Sequence, residues 1–301
     1  MKLQVLDTIT LPGSGERANE DACGQAGDWA WIIDGFIPSG FEPFLHPSSD
    51  AAWFTSYASE QFAARATGAD DGPTLVRQVI EDAREAFLKS APDGRHDPMS
   101  WPGGALTLMR LSRDRLDFWT LADTVAYVQT KAGATSTIGP AEVLRQAESA
   151  KAADLLRRTG SRPGAILSEP LFTEWLHANR RRQIESGKAA VFSLWPEAAD
   201  RLVHNSLTVE EGTAVLLATD GFSALVELYG AHSPERLVAS ALTQGLEALI
   251  RELRHIETEV DPDGRRFPRF KVSDDATALL MQVSQENIHI KWLSAILDKS
   301  L

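Results

Sequence analysis

Two stretches decide the fold: WAWIIDGF (29–36) and TAVLLATDGF (213–222). Each starts as a short apolar run without alternation, as a strand covered on both faces requires. Each ends in the same tripeptide, Asp34-Gly35-Phe36 and Asp220-Gly221-Phe222. Two buried strands therefore deliver a carboxylate at the same end.

Outward from these, LQVLDTI (3–9), ALTLMRL (105–111), RLDFWTL (115–121), VAYVQT (125–130) and ATALLMQV (276–283) also read as strands. The short link Ser112-Arg113-Asp114 predicts a hairpin, and the next strand follows too soon for a parallel crossover. Helical periodicity covers 50–66, 74–90, 141–158, 170–186 and 234–256, with Ser233-Pro234 as cap and first turn of the last. The tail NIHIKWLSAILDKSL reads as a final strand and helix, and 258–275 as a long loop. Hairpin-linked strands with helices in separate blocks predict an α+β chain of mainly antiparallel sheets covered by helices. One domain over 1–301 is expected, with a helical insertion or flap at about 141–200.

The 301 residues are 43% apolar, enough for a sizeable core, and carry a formal charge of -12. That charge argues against a general binder of nucleic acid or of anionic membrane, since both are polyanions. Cys23 is the one cysteine, so neither an internal disulfide nor a cysteine-based zinc site is available. The first residues lack the apolar core of a secretory signal, and a cytoplasmic protein is expected.

Other carboxylates fall at strand ends. Asp123 closes LDFWTLA, Asp274 and Asp275 precede ATALLMQV, and Glu20 and Asp21 lie after the first strand. Carboxylates gathered at one sheet edge repel one another unless a cation intervenes. An all-oxygen set without His or Cys suits Mg²⁺ or Mn²⁺. Two such ions orient a bridging water and lower its pKa, giving a nucleophile for attack on phosphorus. Taken singly, each Asp-Gly also reads as an ordinary turn, Asp123 as a cap, and Asp274-Asp275 as a solvated loop end. Arg180-Arg181-Arg182 and the group Arg265, Arg266, Arg269 and Lys271 read either as solvated charge or as an attractor for a phosphorylated substrate.

Six segments in order resemble the metal-dependent (PPM, or type 2C) serine/threonine protein phosphatases in their bacterial form. They are Arg17-Ala18-Asn19-Glu20-Asp21, Ile32-Ile33-Asp34-Gly35, Gly103-Gly104-Ala105-Leu106-Thr107, Ala122-Asp123-Thr124, Thr219-Asp220-Gly221 and Asp274-Asp275-Ala276-Thr277. The resemblance implies a four-layer αββα sandwich. It implies Asp34 as the bridge between two Mg²⁺ or Mn²⁺ ions, with the Gly35 carbonyl on one and Asp220 and Asp274 on the other. Asp123 would join Asp220 at a third ion, Glu20 and Asp21 would hold metal-bound waters, and Arg17 would bind the substrate phosphate. Ala122 and Thr124 stand where the family has Gly and Ser, and Phe36 stands where eukaryotic members have a histidine proposed as general acid.

What the resemblance implies is a phosphatase of phosphoserine and phosphothreonine on proteins, opposing a Ser/Thr kinase and acting as a monomer. A catalytically silent scaffold that binds a phosphorylated partner, and a phosphatase of a small phosphorylated metabolite, are the alternatives.

Overall fold

The run that ends at Asp34 forms a strand because both of its faces are buried in different cores. Trp29, Trp31 and Ile33 face one layer, while Ala30 and Ile32 face another. A computed structural model of the chain describes residues 1–285 apart from 16, 38–39, 46–48 and 186–189, with the backbone alone at 141.

One sheet holds β2 (Ala22–Ala26), β3 (Trp29–Phe36), β4 (Gly103–Ser112), β5 (Arg115–Leu121) and β9 (Val203–Thr208) in that order, with the short β8 (Phe192–Ser193) pairing β4. The other runs β1 (Lys2–Leu11), β11 (Ala276–Ser284), β10 (Ala214–Ala218), β6 (Val125–Gln129), β7 (Thr135–Ile138). Each of these pairings is antiparallel. Between the sheets lie Ile32, Met109, Phe118, Ala126, Val215, Leu217 and Met281. Outside the first sheet pack α1 (Asp50–Arg65) and α2 (Gly72–Ser90). Outside the second pack α5 (Asp220–Glu227), α6 (Pro234–Gln244) and α7 (Leu246–His255). These are the four layers of the αββα sandwich.

Local chemistry sets the ends of these elements. The Ser49 hydroxyl accepts from the N–H groups of Ala51 and Ala52 and caps α1. Ser233 caps α6 by accepting from the Arg236 N–H, with Pro234 in the first turn. Gly245, at φ +82, divides the apolar periodicity of 234–256 into two helices. The predicted hairpin is present as β4–β5, and Arg113 takes a left-handed conformation in its turn. Four short strands (β2, β7, β8, β9) and helix α5 add to the predicted set.

Two further helices, α3 (Ala141–Thr159) and α4 (Pro170–Glu185), pack around a small core of their own. Ala152, Leu155, Ile166 and Phe172 meet Phe270 there, so this core also grips the loop that leads to β11. The loop is held from below by Arg269. Its buried guanidinium pairs with Asp261 at 3.0 Å and donates to the carbonyls of Glu257, Asp261, Phe267 and Val272. Arg269 therefore serves the fold and is not a surface attractor. No described helix is long and apolar enough to cross a membrane. The final strand and helix read in NIHIKWLSAILDKSL lie outside the described residues.

A candidate carboxylate centre at one end of both sheets

Asp34 sits near the C-terminal end of β3, opposite Ala105 at the start of β4. Asp220 follows β10 and opens α5, and its N–H approaches Asp34 Oδ2 at 3.4 Å. Asp123 follows β5, and Asp274 precedes β11. Because antiparallel neighbours run in opposite senses, one end of the sandwich collects ends of β3, β5 and β10 with starts of β4 and β11. The structure thus brings Asp34, Asp220, Asp274, Asp123 and Asp21 into one electrostatic neighbourhood.

Glycines allow the backbone to close there. A side chain on Gly221 would overlap the Asp275 carbonyl, and one on Gly35 would overlap the Glu20 carbonyl and crowd Thr55 at 2.8 Å. Asp275 itself is a structural clasp. Its carboxylate accepts from the N–H groups of Gly13 and Glu20, each at 2.8 Å. It thereby fastens both ends of the loop that carries Arg17. Asn19 adds a bond to Thr10 at 2.7 Å. Arg17 is exposed on that loop, and its N–H closes a turn on the Ser14 carbonyl. The Glu20 carboxylate accepts from the Ser49 hydroxyl, and Asp21 accepts from Thr219 at 2.9 Å.

Asp123 follows a conspicuous backbone feature. Ala122 adopts φ +62, a left-handed conformation that costs a residue with a Cβ roughly 1 kcal/mol relative to glycine. Thr124, next along, shares a 2.9 Å hydroxyl contact with Thr107 of β4. Together these fix the turn that presents Asp123.

Phe36 takes a packing role. Its ring faces the buried guanidinium of Arg180 from α4 at 5.3 Å. Arg180 also lies 4.8 Å over Trp195 and donates to the Trp101 carbonyl at 2.9 Å. Burial pulls Arg180 down to about 10, so it stays charged at neutral pH. The strand that carries Asp34 is thus tied to α4 immediately beyond the carboxylate.

Two cations that sequence reasoning did not assign to the centre enter it. Arg145 of α3, buried, places Nη2 2.7 Å from Asp220 Oδ2 as an ion pair. Lys271 pairs with Asp274. Burial pushes the Asp34 carboxyl well above the usual range, and repulsion from Asp220, Asp21, Asp123 and Asp274 adds to this. Burial likewise raises Asp21, Asp274 and Asp123, the last to about 7. Burial also acts on Asp220, but Arg145 and Lys271 outweigh it and hold that carboxyl below its usual value.

The donors fit hard divalent ions. Asp34, Asp220, Asp274, Asp123, Asp21 and Glu148 face the two cations Arg145 and Lys271, and the buried Asp21 Oδ1 has no hydrogen-bond partner among the described residues. Among the described residues no three such groups close around one point as a finished cage. Asp220 and Asp274 are engaged by Arg145 and Lys271, and ion binding requires those carboxylates to share or release them. A shallow hollow lined by Asp71, Arg110, Asp117 and His204 lies beside the β4–β5 turn, at the far end of the strands from Asp34.

A pH test follows from Asp123. Its folded-state value near 7 lies above the ordinary 3.8, so the folded protein holds this proton more tightly than the unfolded chain does. The resulting stabilisation is complete below the unfolded value and disappears as pH rises through 7. In chelator, the urea midpoint is expected to fall between about pH 4 and pH 7, more steeply in wild type than in Asp123→Asn. Equal slopes would remove Asp123 as the source.

Two antiparallel sheets between helical layers, with the strand-end aspartates at one edge, have the fold of the PPM-type serine/threonine phosphatases. The chain is similar in structure to the serine/threonine phosphatase PstP/Ppp of Mycobacterium tuberculosis, at TM-score 0.54 and 17% identity over 95% of this chain and 100% of that one. It is similar to the catalytic domain of PstP in complex with two manganese ions, at 0.54 and 14% over 94% and 99%. The photosystem II phosphatase PBCP gives 0.55 and 13% over 94% and 99%. No protein-family model matches the chain, and no curated protein matches it.

Proposed function

We propose that this protein is a Mg²⁺- or Mn²⁺-dependent phosphatase that hydrolyses phosphoserine and phosphothreonine on a protein substrate. The observation that carries this reading is the carboxylate excess around Asp34. A buried cluster with more anions than cations is unstable at neutral pH unless protons or metal ions balance it.

Asp34, Asp220 and Asp274 would hold two ions with the Gly35 carbonyl, and Glu20 and Asp21 would orient water from beside them. The ions would supply Lewis acidity and lower the pKa of bound water. Asp34 is central because the Asp220 N–H already approaches one of its oxygens, which fixes the carboxylate in place. Asp21 is held by the Thr219 hydroxyl and keeps Oδ1 unspent, as a water-orienting group needs. Arg17 would receive the phosphate, since a guanidinium fork matches two phosphate oxygens. Its loop is fixed at both ends by Asp275, one residue from Asp274. Phe36 has no proton to give, so the leaving oxygen would take its proton from water or from a neighbouring protonated carboxyl.

The test compares a phosphothreonine peptide with an aryl phosphate, each with Mn²⁺, Mg²⁺ or chelator. Turnover of both that stops in chelator is expected, and Arg17→Ala should raise KM for the peptide by on the order of 10-fold or more. Turnover that persists in chelator would overturn the metal reading. Binding of the phosphopeptide without turnover in either metal would favour a silent scaffold.

A further inference from the structure

Helix α3 is turned in an unusual way. Val143 and Leu144 face solvent at 70% and 41% exposure, while the neighbouring Arg145 is buried at 8%. Apolar residues of one turn are thus exposed so that a guanidinium can point inward. The helix is set in this pose from two sides. Ser149 donates to the Pro268 carbonyl at 2.9 Å, and Ala152 and Leu155 pack with Phe270 in the small core. Arg145 then meets Asp220 at 2.7 Å and Glu148, on its own helix, at 3.3 Å. The charges of both Asp220 and Arg145 act on Asp123, which Arg145 does not contact directly among the ion pairs of the described residues.

We propose that Arg145 is a built-in cation that takes the place of a third metal ion between Asp220 and Asp123. The inference rests on the metal reading of the centre given above. A guanidinium does not lose its charge at any physiological pH, so it is a permanent partner where an ion would come and go. It carries one charge where a divalent ion carries two. The guanidinium also occupies Asp220 Oδ2, an oxygen a bridging ion would need. Ion content at this edge is thereby linked to the pose of α3, since the helix must move for the ion to enter.

The experiment counts Mn²⁺ bound to the full chain by calorimetry, and by the free-ion electron paramagnetic resonance signal. Wild type is compared with Arg145→Gln, Arg145→Lys, Asp123→Asn and the double variant Arg145→Gln/Asp123→Asn. Arg145→Gln is expected to bind one ion more than wild type, Arg145→Lys the same number, and the double variant to lose the added ion. Asp123→Asn alone should keep the wild-type count, because Arg145 already fills the position. Equal counts in wild type and folded Arg145→Gln would overturn the inference. So would loss of an ion in Asp123→Asn, a readout that stands even if Arg145→Gln fails to fold. The wild-type count tests the underlying reading separately: no Mn²⁺ bound in wild type sinks the metal reading, while the variant-minus-wild-type difference decides the role of Arg145.

Discussion

Asp34→Asn is expected to lower aryl phosphate hydrolysis in Mn²⁺ by on the order of 10²- to 10³-fold or more, and to make the metal-free protein harder to unfold. The two effects have one origin. Asp34 is the carboxylate on which repulsion from Asp220, Asp21, Asp123 and Asp274 converges, after burial has already raised it. In the proposed mechanism that concentration of charge would bind the ions, so an amide would lose both the ligand and the field. Without ions, the ionised carboxylate weakens the fold. Its folded-state value is raised, so its stabilising contribution exists below the unfolded value and is lost as pH climbs. The amide removes that loss. A higher melting temperature for Asp34→Asn than for wild type in chelator at pH 8, together with lost turnover in Mn²⁺, is the expected pair. Unchanged turnover would remove Asp34 from the mechanism. An unchanged melt would mean that the negative charge is balanced in some other way.

Gly221→Ala should destabilise the protein by about 3 kcal/mol or more, or prevent folding. The added methyl would overlap the Asp275 carbonyl, which is backbone and unable to swing aside. The displaced segment carries Asp274 and the two Asp275 bonds to Gly13 and Glu20, so the Arg17 loop would loosen as well. Gly15→Ala is the control, because nothing lies within 4 Å of a Cβ at that position. Urea midpoints of the two variants give the comparison. A Gly221→Ala protein as stable as Gly15→Ala would mean that the helix and the β11 entry are free to separate.

The strands with both faces buried were legible because an unbroken apolar run has few other uses. β3 carries one Asp-Gly step and β10 leads into the other, and β4, β5, β6 and β11 follow the same logic. β9 escaped notice because VHNSLT lies at a sheet edge and shows mixed polarity. α5 was hidden by its own first residues, since Asp220-Gly221 reads as a turn until the close approach of Asp275 is seen. Gly245 interrupts a helix whose apolar spacing carries on through it.

At the centre, the order of the aspartates along the chain foretold which strand ends bear charge, but not what would neutralise them. Arg145 looks in the sequence like any other charge on an amphipathic helix. Its partner Asp220 is distant in the chain, and no local spacing reports a contact of that kind. Lys271 and Arg269 seemed members of one basic cluster. Burial divides them: Arg269 braces the loop, and Lys271 joins Asp274. The resemblance pointed to Asp274 as the candidate ligand and gave Asp275 no role; the two backbone bonds to Asp275 make it a clasp.

The strand order has a consequence for how the protein comes to life on the ribosome. β11 lies between β1 and β10, and Asp274 and Asp275 stand at its entrance. The first strand is made early and must wait, its edge unpaired, until almost all of the chain has been synthesised. Such non-local pairing slows folding and leaves a strand edge open to wrong partners. It also acts as a safeguard: a truncated or stalled chain lacks Asp274 and the clasp that holds the Arg17 loop. A half-made copy would therefore lack the assembled carboxylate centre.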